Sequence, residues 1–308
     1  MNSRLAHTYS IVGRDPKSGE MGVAVQSHFF SVGSVVAWGE AGVGVVATQS
    51  MVKIDYGPHG LALMREGVSA EDALARLMAQ DEAREVRQVA MLDATGGVAT
   101  HTGSRCIPDA GHLIAENVSV QANMMENDRV WPAMLAAFQD GTGQPLADRL
   151  LTALAAAQAA GGDIRGQQSA ALLVVDGERQ AEAWRGRQID LRVEEHPDPV
   201  TELQRLLRYH QAYRYASESD ELMARGEWEA AKGAIDKAVA LVPDEVELRF
   251  WAAHAMLMAG REGEALPRFA EVFAEEPQWA ALLPRLVPAG LLPEDPALIQ
   301  RILDRAQR

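Results

Sequence analysis

The chain has 308 residues, 47% hydrophobic and 23% charged, a composition typical of a globular protein with one large and one smaller domain. Its formal net charge of −14 leaves no broad basic surface to neutralise phosphates, so we expect no nucleic-acid partner. The single cysteine, Cys106, excludes an intrachain disulfide or a thiolate cluster for a metal. Because no segment resembles a signal peptide or a membrane span, we expect a cytoplasmic protein without a membrane partner.

The first predicted elements are strands. Residues 8–14 and 19–28, TYSIVGR and GEMGVAVQSH, flank a segment whose Asp, Pro and Gly suit a tight reversal, so they predict a hairpin. A continuous apolar run bounded by glycines, GVGVVATQS at 42–50, predicts a third strand that is covered on both faces.

The pattern then changes to helical spacing. Apolar residues recur at helical intervals over residues 58–81, and Ser69 followed by Asp72 is typical of a capped helix start, so we expect two short helices. Strands and helices alternate again beyond this point. The later predicted segments are a hairpin at 86–103 turning at Thr95-Gly96-Gly97, a strand at 118–124, helices at 127–143 and 145–162, and strands at 169–175 and 187–195.

Pairs of strands that alternate with pairs of helices predict the α+β class and, more specifically, a four-layer αββα sandwich. A doubly wound parallel sheet fits less well, because it alternates single strands with single helices and begins with a glycine-rich turn. We predict that the sandwich spans residues 8–195 behind an N-terminal extension, residues 1–7.

A different organisation is predicted after this domain. A linker helix over 196–217 leads into an internal repeat of 34 residues, which is the tetratricopeptide period. The matched pairs are Gly226 with Gly260, Ala231 with Ala265, Ile235 with Phe269, Val239 with Phe273, and Pro243 with Pro277. We therefore predict a small all-α, tetratricopeptide-like domain over residues 218–308.

Long segments of the chain resemble the bacterial domain of unknown function family 1028, over roughly residues 7–193. They are TYSIVGRDPKSGEMGVAVQSHFFSVGS, AGVGVVATQSMV, YGPHGLALMREG, VRQVAMLDATGGVATHTG, SVQANMMENDRVWPAM and GGDIRGQQSAALLVV. The resemblance implies an αββα fold like that of N-terminal-nucleophile (Ntn) hydrolases, without a settled substrate.

The likeness to Ntn hydrolases makes Thr8 a candidate nucleophile. In that superfamily a Thr, Ser or Cys begins a strand, and its own free α-amine is the general base. Seven residues precede Thr8, so this chemistry requires cleavage between His7 and Thr8. Alternatively, Thr8 is a β-branched strand residue with a satisfied hydroxyl.

Further candidates follow from polar residues at the ends of predicted strands. Ser27 and His28 are a second candidate catalytic pair, although neighbours on a strand point to opposite faces, so that His28 would share a face with Gln26. Asn123 is a candidate oxyanion donor. The substrate-binding candidates are Gln26, Gln49, Ser50, Asp163, Arg165, Gln167, Gln168 and Ser169.

Within this set, Arg165 either binds a substrate carboxylate or pairs with Asp163 to hold its loop. His101 and His112 flank Cys106 at a spacing that matches no metal template, so we predict no metal site and no cofactor.

Two functions are consistent with these residues. The first is a hydrolase that cleaves a small, non-peptide amide by acyl transfer. The second is a catalytically silent sandwich that binds a protein partner through the helical repeats. We also expect a homodimer, because a short, uncapped repeat segment leaves apolar helical surface in need of a partner.

Overall fold

The structure is a computed structural model that describes residues 4–304. In that range the chain forms eleven strands and ten α-helices, joined by turns and short 3-10 helices. The strands are β1 (Arg4–Ala6), β2 (Thr8–Arg14), β3 (Met21–Ser27), β4 (Ala37–Glu40), β5 (Gly44–Val52), β6 (Arg87–Asp93), β7 (Val98–Thr102), β8 (Gly111–Ala115), β9 (Val118–Ala122), β10 (Ser169–Val175) and β11 (Arg187–Val193). The helices are α1 (Tyr56–Arg65), α2 (Ala70–Ala79), α3 (Val130–Asp140), α4 (Leu146–Ala159), α5 (Pro199–Ala224), α6 (Trp228–Leu241), α7 (Val246–Met258), α8 (Glu262–Glu275), α9 (Gln278–Leu282) and α10 (Pro296–Leu303).

The strands form two antiparallel sheets. The first, sheet A, has the order β1-β5-β6-β7, and β4 also pairs with β5. The second, sheet B, has six strands in the order β11-β10-β3-β2-β9-β8. The protein is therefore of mixed α+β class, with antiparallel sheets and a C-terminal helical region.

Side chains alternate between the two faces of each sheet, so one face packs against the other sheet and the opposite face packs against helices. Val23 and Val25 of β3 share one apolar cluster with Val45 and Ala47 of β5, so this cluster lies between the sheets. Gly22, the residue before Val23, faces the other way, since a Cβ there would lie 2.6 Å from Leu150 of α4. α3 and α4 contact the outer face of sheet B, and α1 and α2 contact sheet A.

Local sequence signals identify several of these elements correctly. The predicted hairpins are formed by β2 with β3 and by β6 with β7. Ser69 caps α2 by accepting the main-chain N–H of Asp72 at 3.1 Å. In the second hairpin Asp93 accepts from the hydroxyl of Thr95 at 2.6 Å and from the N–H of Gly97 at 3.1 Å, which holds the turn.

Three short strands have no counterpart in the predicted elements: β1, β4 and β8. β1 lies in the segment predicted as an extension, and it pairs with β5 through Arg4 with Val52, Leu5 with Met51 and Ala6 with Ser50. Because β1 belongs to sheet A and β2 to sheet B, the chain crosses between the sheets at His7. That crossing places the peptide bond before Thr8 between the two sheets.

The chain divides into two compact units between Arg205 and Leu206, a point inside α5. The second unit is helical over its described residues. The repeat partners Ala231 and Ala265 are both fully buried, and each is the fourth residue of its helix, α6 or α8. None of the helices described between residues 4 and 304 combines the length and the apolar character needed to cross a bilayer.

Candidate functional site

Thr8 begins β2 on the face of sheet B that is turned toward sheet A. Its side chain is 0% exposed, and its hydroxyl donates a hydrogen bond of 2.7 Å to the carbonyl oxygen of Ala6. Thr8 is therefore enclosed, and the β1 segment precedes it directly in the sequence. Any chemistry at Thr8 must involve that segment or follow its removal.

Two side chains donate to the carbonyl oxygen of His7, which belongs to the peptide bond before Thr8. The hydroxyl of Ser27 donates at 2.6 Å, and Nη2 of Arg165 donates at 2.8 Å. Ser27 is brought there by the hairpin register, in which it lies opposite Thr8. Two donors on one carbonyl, one of them cationic, polarise the C=O bond as an oxyanion-binding arrangement does.

Asp163 fixes the position of Arg165. The two side chains form a bidentate ion pair, with Nε to Oδ1 at 3.0 Å and Nη2 to Oδ2 at 2.7 Å. The Asp163 carboxylate is completely buried, and it also accepts from the main-chain N–H of His28 at 3.2 Å. Arg165 therefore pairs with Asp163, which is one of the two roles predicted for it, and it also donates to the His7 carbonyl.

Asn123, the predicted oxyanion donor, and the binding candidate Gln49 bind a different oxygen. Asn123 donates through its main-chain N–H at 3.1 Å and its Nδ2 at 3.4 Å to the carbonyl of Thr8 itself. Nε2 of Gln49 donates to the same oxygen at 3.2 Å. These amides position β2, while the donors on the carbonyl before Thr8 are Ser27 and Arg165.

A buried hydrogen-bond network continues from these amides across both sheets. Oε1 of Gln88 accepts from Gln49 at 2.7 Å and from Asn123 at 2.9 Å. Ser10 donates to Oε1 of Gln49 at 2.6 Å and accepts from Nε2 of Gln121 at 2.6 Å. All five of these side chains are 0% exposed, so the network exists only because each polar group has a partner.

The network also fixes the protonation of the His7 ring. Burial first, and then the charge of Arg165, lower the pKa of His7 against the opposing effect of its bond to Asn123, so the ring is neutral at neutral pH. Nδ2 of Asn123 is a donor to Gln88, so its Oδ1 is the acceptor for Nδ1 of His7 at 2.8 Å. The proton therefore lies on Nδ1, and Nε2 carries a buried lone pair with no partner among the described residues.

Ser27 and His28 do not act as a pair in this structure. The Ser27 hydroxyl is directed to the His7 carbonyl, whereas His28 follows the end of β3 and is exposed. Gln26, on the opposite face of β3 from Ser27, is 0% exposed, and neither its Oε1 nor its Nε2 has a partner within the described chain.

The remaining substrate-binding candidates mainly anchor loops. Ser169 donates to the carbonyl of Phe29 at 2.5 Å and accepts from the N–H of Val32 at 3.0 Å. The N–H of Gln168 donates to the carbonyl of Ser27 at 3.2 Å, and Gln167 has a buried Oε1 without a described partner. Ser50 has a φ of +71°, in the left-handed region, at the point where β5 pairs with β1.

Two side chains that connect the site, His7 and Gln88, were not predicted from the sequence. His7 lies between Ala6 and Thr8 and Gln88 between Arg87 and Val89, and neither matches a motif. The position of Gln88 could have been inferred from β6, because residues two apart on a strand share a face. Gln88 therefore lies on the same face as Ala90, which belongs to the apolar cluster between the sheets. His7 carried no comparable signal, because its position depends on the crossing between the sheets.

The predicted site residues Thr8, Ser27, Asn123, Gln49, Asp163 and Arg165 thus meet around one peptide bond, His7–Thr8, although they come from distant parts of the chain. A family model described as a family of unknown function, DUF1028, matches residues 8–203. The chain belongs to the DUF1028 family. Its matched region includes every one of these residues.

One solved structure extends this comparison. The crystal structure of a DUF1028 protein from Silicibacter pomeroyi is similar to this chain with a TM-score of 0.59 and 31% identity. The similarity covers 66% of this chain and 88% of that one. A search among curated proteins finds no match.

Proposed function

We propose that this DUF1028 protein is an amide hydrolase whose nucleophile, Thr8, is released by cleavage of the chain's own His7–Thr8 bond. The observation that carries the proposal is the pair of donors, Ser27 Oγ at 2.6 Å and Arg165 Nη2 at 2.8 Å, on the carbonyl of His7. A carbonyl polarised in this way, next to a hydroxyl on the following residue, is arranged for an acyl shift.

The cleavage proceeds in two steps, an acyl shift and a hydrolysis. The Thr8 hydroxyl oxygen attacks the His7 carbonyl carbon, and the negative charge that develops on the oxygen is stabilised by Ser27 and Arg165. The C–N bond breaks, an ester forms between His7 and Thr8, and the hydroxyl proton is transferred to the new amine of Thr8. Water then hydrolyses the ester, which frees the His7 carboxylate and the Thr8 hydroxyl.

The same groups serve the substrate afterwards. Departure of His7 removes the acceptor of Ser27 and Arg165 and leaves both donors beside a Thr8 that now has a free α-amine. That amine is the base for attack on an amide carbonyl bound in place of the His7 carbonyl. Arg165 is 28% exposed, so it connects this position to solvent. The substrate class is a small amide whose acyl oxygen fits between Ser27 and Arg165.

The proposal includes the finer architecture expected from the sequence. In it the two sheets and their covering helices are the four layers of an Ntn-hydrolase-like αββα sandwich. The helical segment with the 34-residue period is tetratricopeptide-like, and the protein acts in the cytoplasm. The contacts of α1 and α2 with sheet A, and of α3 and α4 with sheet B, support the layer order.

A second function is favoured by one specific observation. Thr8 is fully buried, its hydroxyl already has an acceptor in Ala6, and the neighbouring amides are saturated by one another. If the chain stays intact, these groups only hold the sheets together. The protein is then a silent sandwich that binds a partner through its helical repeats.

Intact mass separates the two functions. We expect the purified wild-type chain to begin at Thr8 and the Thr8→Ala chain to keep residues 1–7, with Thr8→Ser cleaved as the wild type is. The cleaved protein should hydrolyse members of a panel of small amides and cyclic imides, and Thr8→Ala should hydrolyse none. A full-length wild-type chain, or hydrolysis that survives Thr8→Ala, would contradict the proposal.

A further inference from the structure

The free edge of sheet B is formed by β8, which pairs on one side only, with β9. Open sheet edges present unpaired main-chain groups, and proteins that remain monomeric protect such edges with charges. The opposite edge of the same sheet, β11, has this protection: Arg187, Asp190 and Arg192 form ion pairs along it. The two edges of one sheet can therefore be compared directly.

β8 lacks the protection found on β11. Its sequence, GHLIA, contains no Lys, Arg, Asp or Glu, and it exposes two large apolar side chains, Leu113 at 38% and Ile114 at 48%. Leu113 and Ile114 project from opposite faces of the sheet because they are adjacent on a strand. The edge therefore exposes one large apolar side chain on each face, with the partly buried His112 beside Ile114.

The uncharged surface continues onto α3. Trp131 of α3 lies against β8, since a Cβ on Gly111 would meet its ring at 2.7 Å. From Val130 to Gln139 the helix has no charged residue, although Pro132, Ala136 and Gln139 are exposed. In a chain with 43 acidic and 29 basic residues, a surface helix free of charge over that length is unusual.

We propose that β8 and the exposed face of α3 bind a second copy of this chain, with the two β8 strands antiparallel across a two-fold axis. An antiparallel strand pair is self-complementary, so one edge supplies both halves of the contact. The two six-stranded sheets then join into one continuous sheet, and α3 of each copy adds apolar area beside the strands. This addition matters because a strand of five residues alone falls short of the roughly 800 Å² per partner of a stable interface.

The charge distribution favours a second copy over other partners. Two copies that each carry a net charge of −14 repel one another over most of their surfaces, so an approach through an uncharged edge is the least opposed. The nearest flanking acids are Asp109 and Glu116. With the axis at Leu113, the antiparallel register places them opposite Asn117 and Ala110 of the copy, so like charges do not face each other directly.

A matched pair of substitutions tests the surface by light scattering at micromolar concentration. We expect a dimer for the wild type and, for Leu113→Lys, a halved mass with the circular-dichroism spectrum of a folded chain, because Leu113 is partly exposed already. Leu291→Lys makes the same change at a residue of similar exposure, 44%, in the helical region, and should leave the dimer intact. Leu113→Cys should form a disulfide-linked dimer under mild oxidation, since the two Leu113 positions lie opposite each other.

Each other outcome overturns the proposal. A monomeric wild type shows that no second copy binds this edge, and the surface then belongs to a different protein or to none. A dimer that survives Leu113→Lys but dissociates with Leu291→Lys places the contact in the helical region. The test is independent of Thr8, because neither substitution lies among the residues around the His7 carbonyl.

Discussion

Substitution of Ser27 by alanine separates the chemistry proposed for the His7 carbonyl from the packing around it. Ser27→Ala deletes the 2.6 Å donor and leaves Arg165 at 2.8 Å as the remaining donor on that oxygen. Loss of one oxyanion donor slows acyl transfer by about 100- to 1,000-fold. The carbonyl keeps a charged partner, so unfolding should become easier by only about 1 kcal/mol.

Ser119→Ala is the matched control for this substitution. Ser119 is also a fully buried serine of sheet B, and it bonds to Gln121 at 3.0 Å and to Thr100 at 2.6 Å, with no bond to His7 or Thr8. Its loss leaves the buried Gln121 and the half-buried Thr100 short of a partner, so the stability cost should be about 1–3 kcal/mol, at least that of Ser27→Ala. The self-cleavage rate should nevertheless equal that of the wild type.

The assay follows intact mass over time after a short pulse of cell-free synthesis, with urea unfolding of each variant in the Thr8→Ala background. We expect opposite rankings: Ser27→Ala is the slower to cleave and Ser119→Ala the less stable. If both variants cleave at wild-type rate, or if both slow in proportion to their loss of stability, the hydrogen bond to His7 is structural. The oxyanion role of Ser27 would then be refuted.

Three further predictions concern stability. In the Thr8→Ala background, Asn123→Ala should lower the free energy of unfolding by about 1–3 kcal/mol in urea titration, because Nδ1 of His7 loses its acceptor; an unchanged midpoint would contradict this. Burial raises the pKa of Asp93, but hydrogen bonds from Thr95, Ala70 and Gly97 outweigh this effect, so the pKa in the folded protein is lowered. The ionised Asp93 carboxylate therefore stabilises the fold above the unfolded pKa of about 4, and this stabilisation is lost as pH falls below that value. The melting-temperature difference between wild type and Asp93→Asn should accordingly shrink below about pH 4, and a constant difference would count against the assignment. Gly57→Ala would place a Cβ 2.4 Å from the ring of Trp38, so thermal melting should show a loss of about 1–3 kcal/mol, whereas Gly67→Ala, with open space but a φ of +87°, should be destabilised by backbone strain alone.

Local signals in the sequence predict local structure well in this chain. The turn at Thr95-Gly96-Gly97 and the cap at Ser69 depend on residues within a few positions of one another, and the structure confirms both. The short strands β1, β4 and β8 were missed because three to five residues are too few to establish a period. Their pairing partners also lie elsewhere in the chain or follow a turn without a strong signature.

The sequence singled out residues that the folded chain brings together, but it did not predict their hydrogen-bond partners. Thr8, Ser27, Asn123 and Arg165 were all singled out from their places at strand ends and loops, and all lie around the His7–Thr8 bond. Which oxygen each one binds depends on contacts such as Asn123 with His7, 116 positions apart in the sequence, and Arg165 with His7, 158 apart. No spacing rule covers such separations, so the partner of each amide became visible only in the folded chain.

The Gln49, Gln88 and Gln121 side chains have a consequence for how the two sheets are aligned. A purely aliphatic interface between sheets allows small sliding, since one methyl contact replaces another at little cost. The buried amides do not permit such sliding. A shift of one residue would place donor against donor and leave several buried polar groups without hydrogen-bond partners at once. The glutamines therefore permit only one alignment of the two sheets, which the aliphatic cluster alone would allow to slide. In this way they hold the His7–Thr8 bond at a fixed place between the sheets.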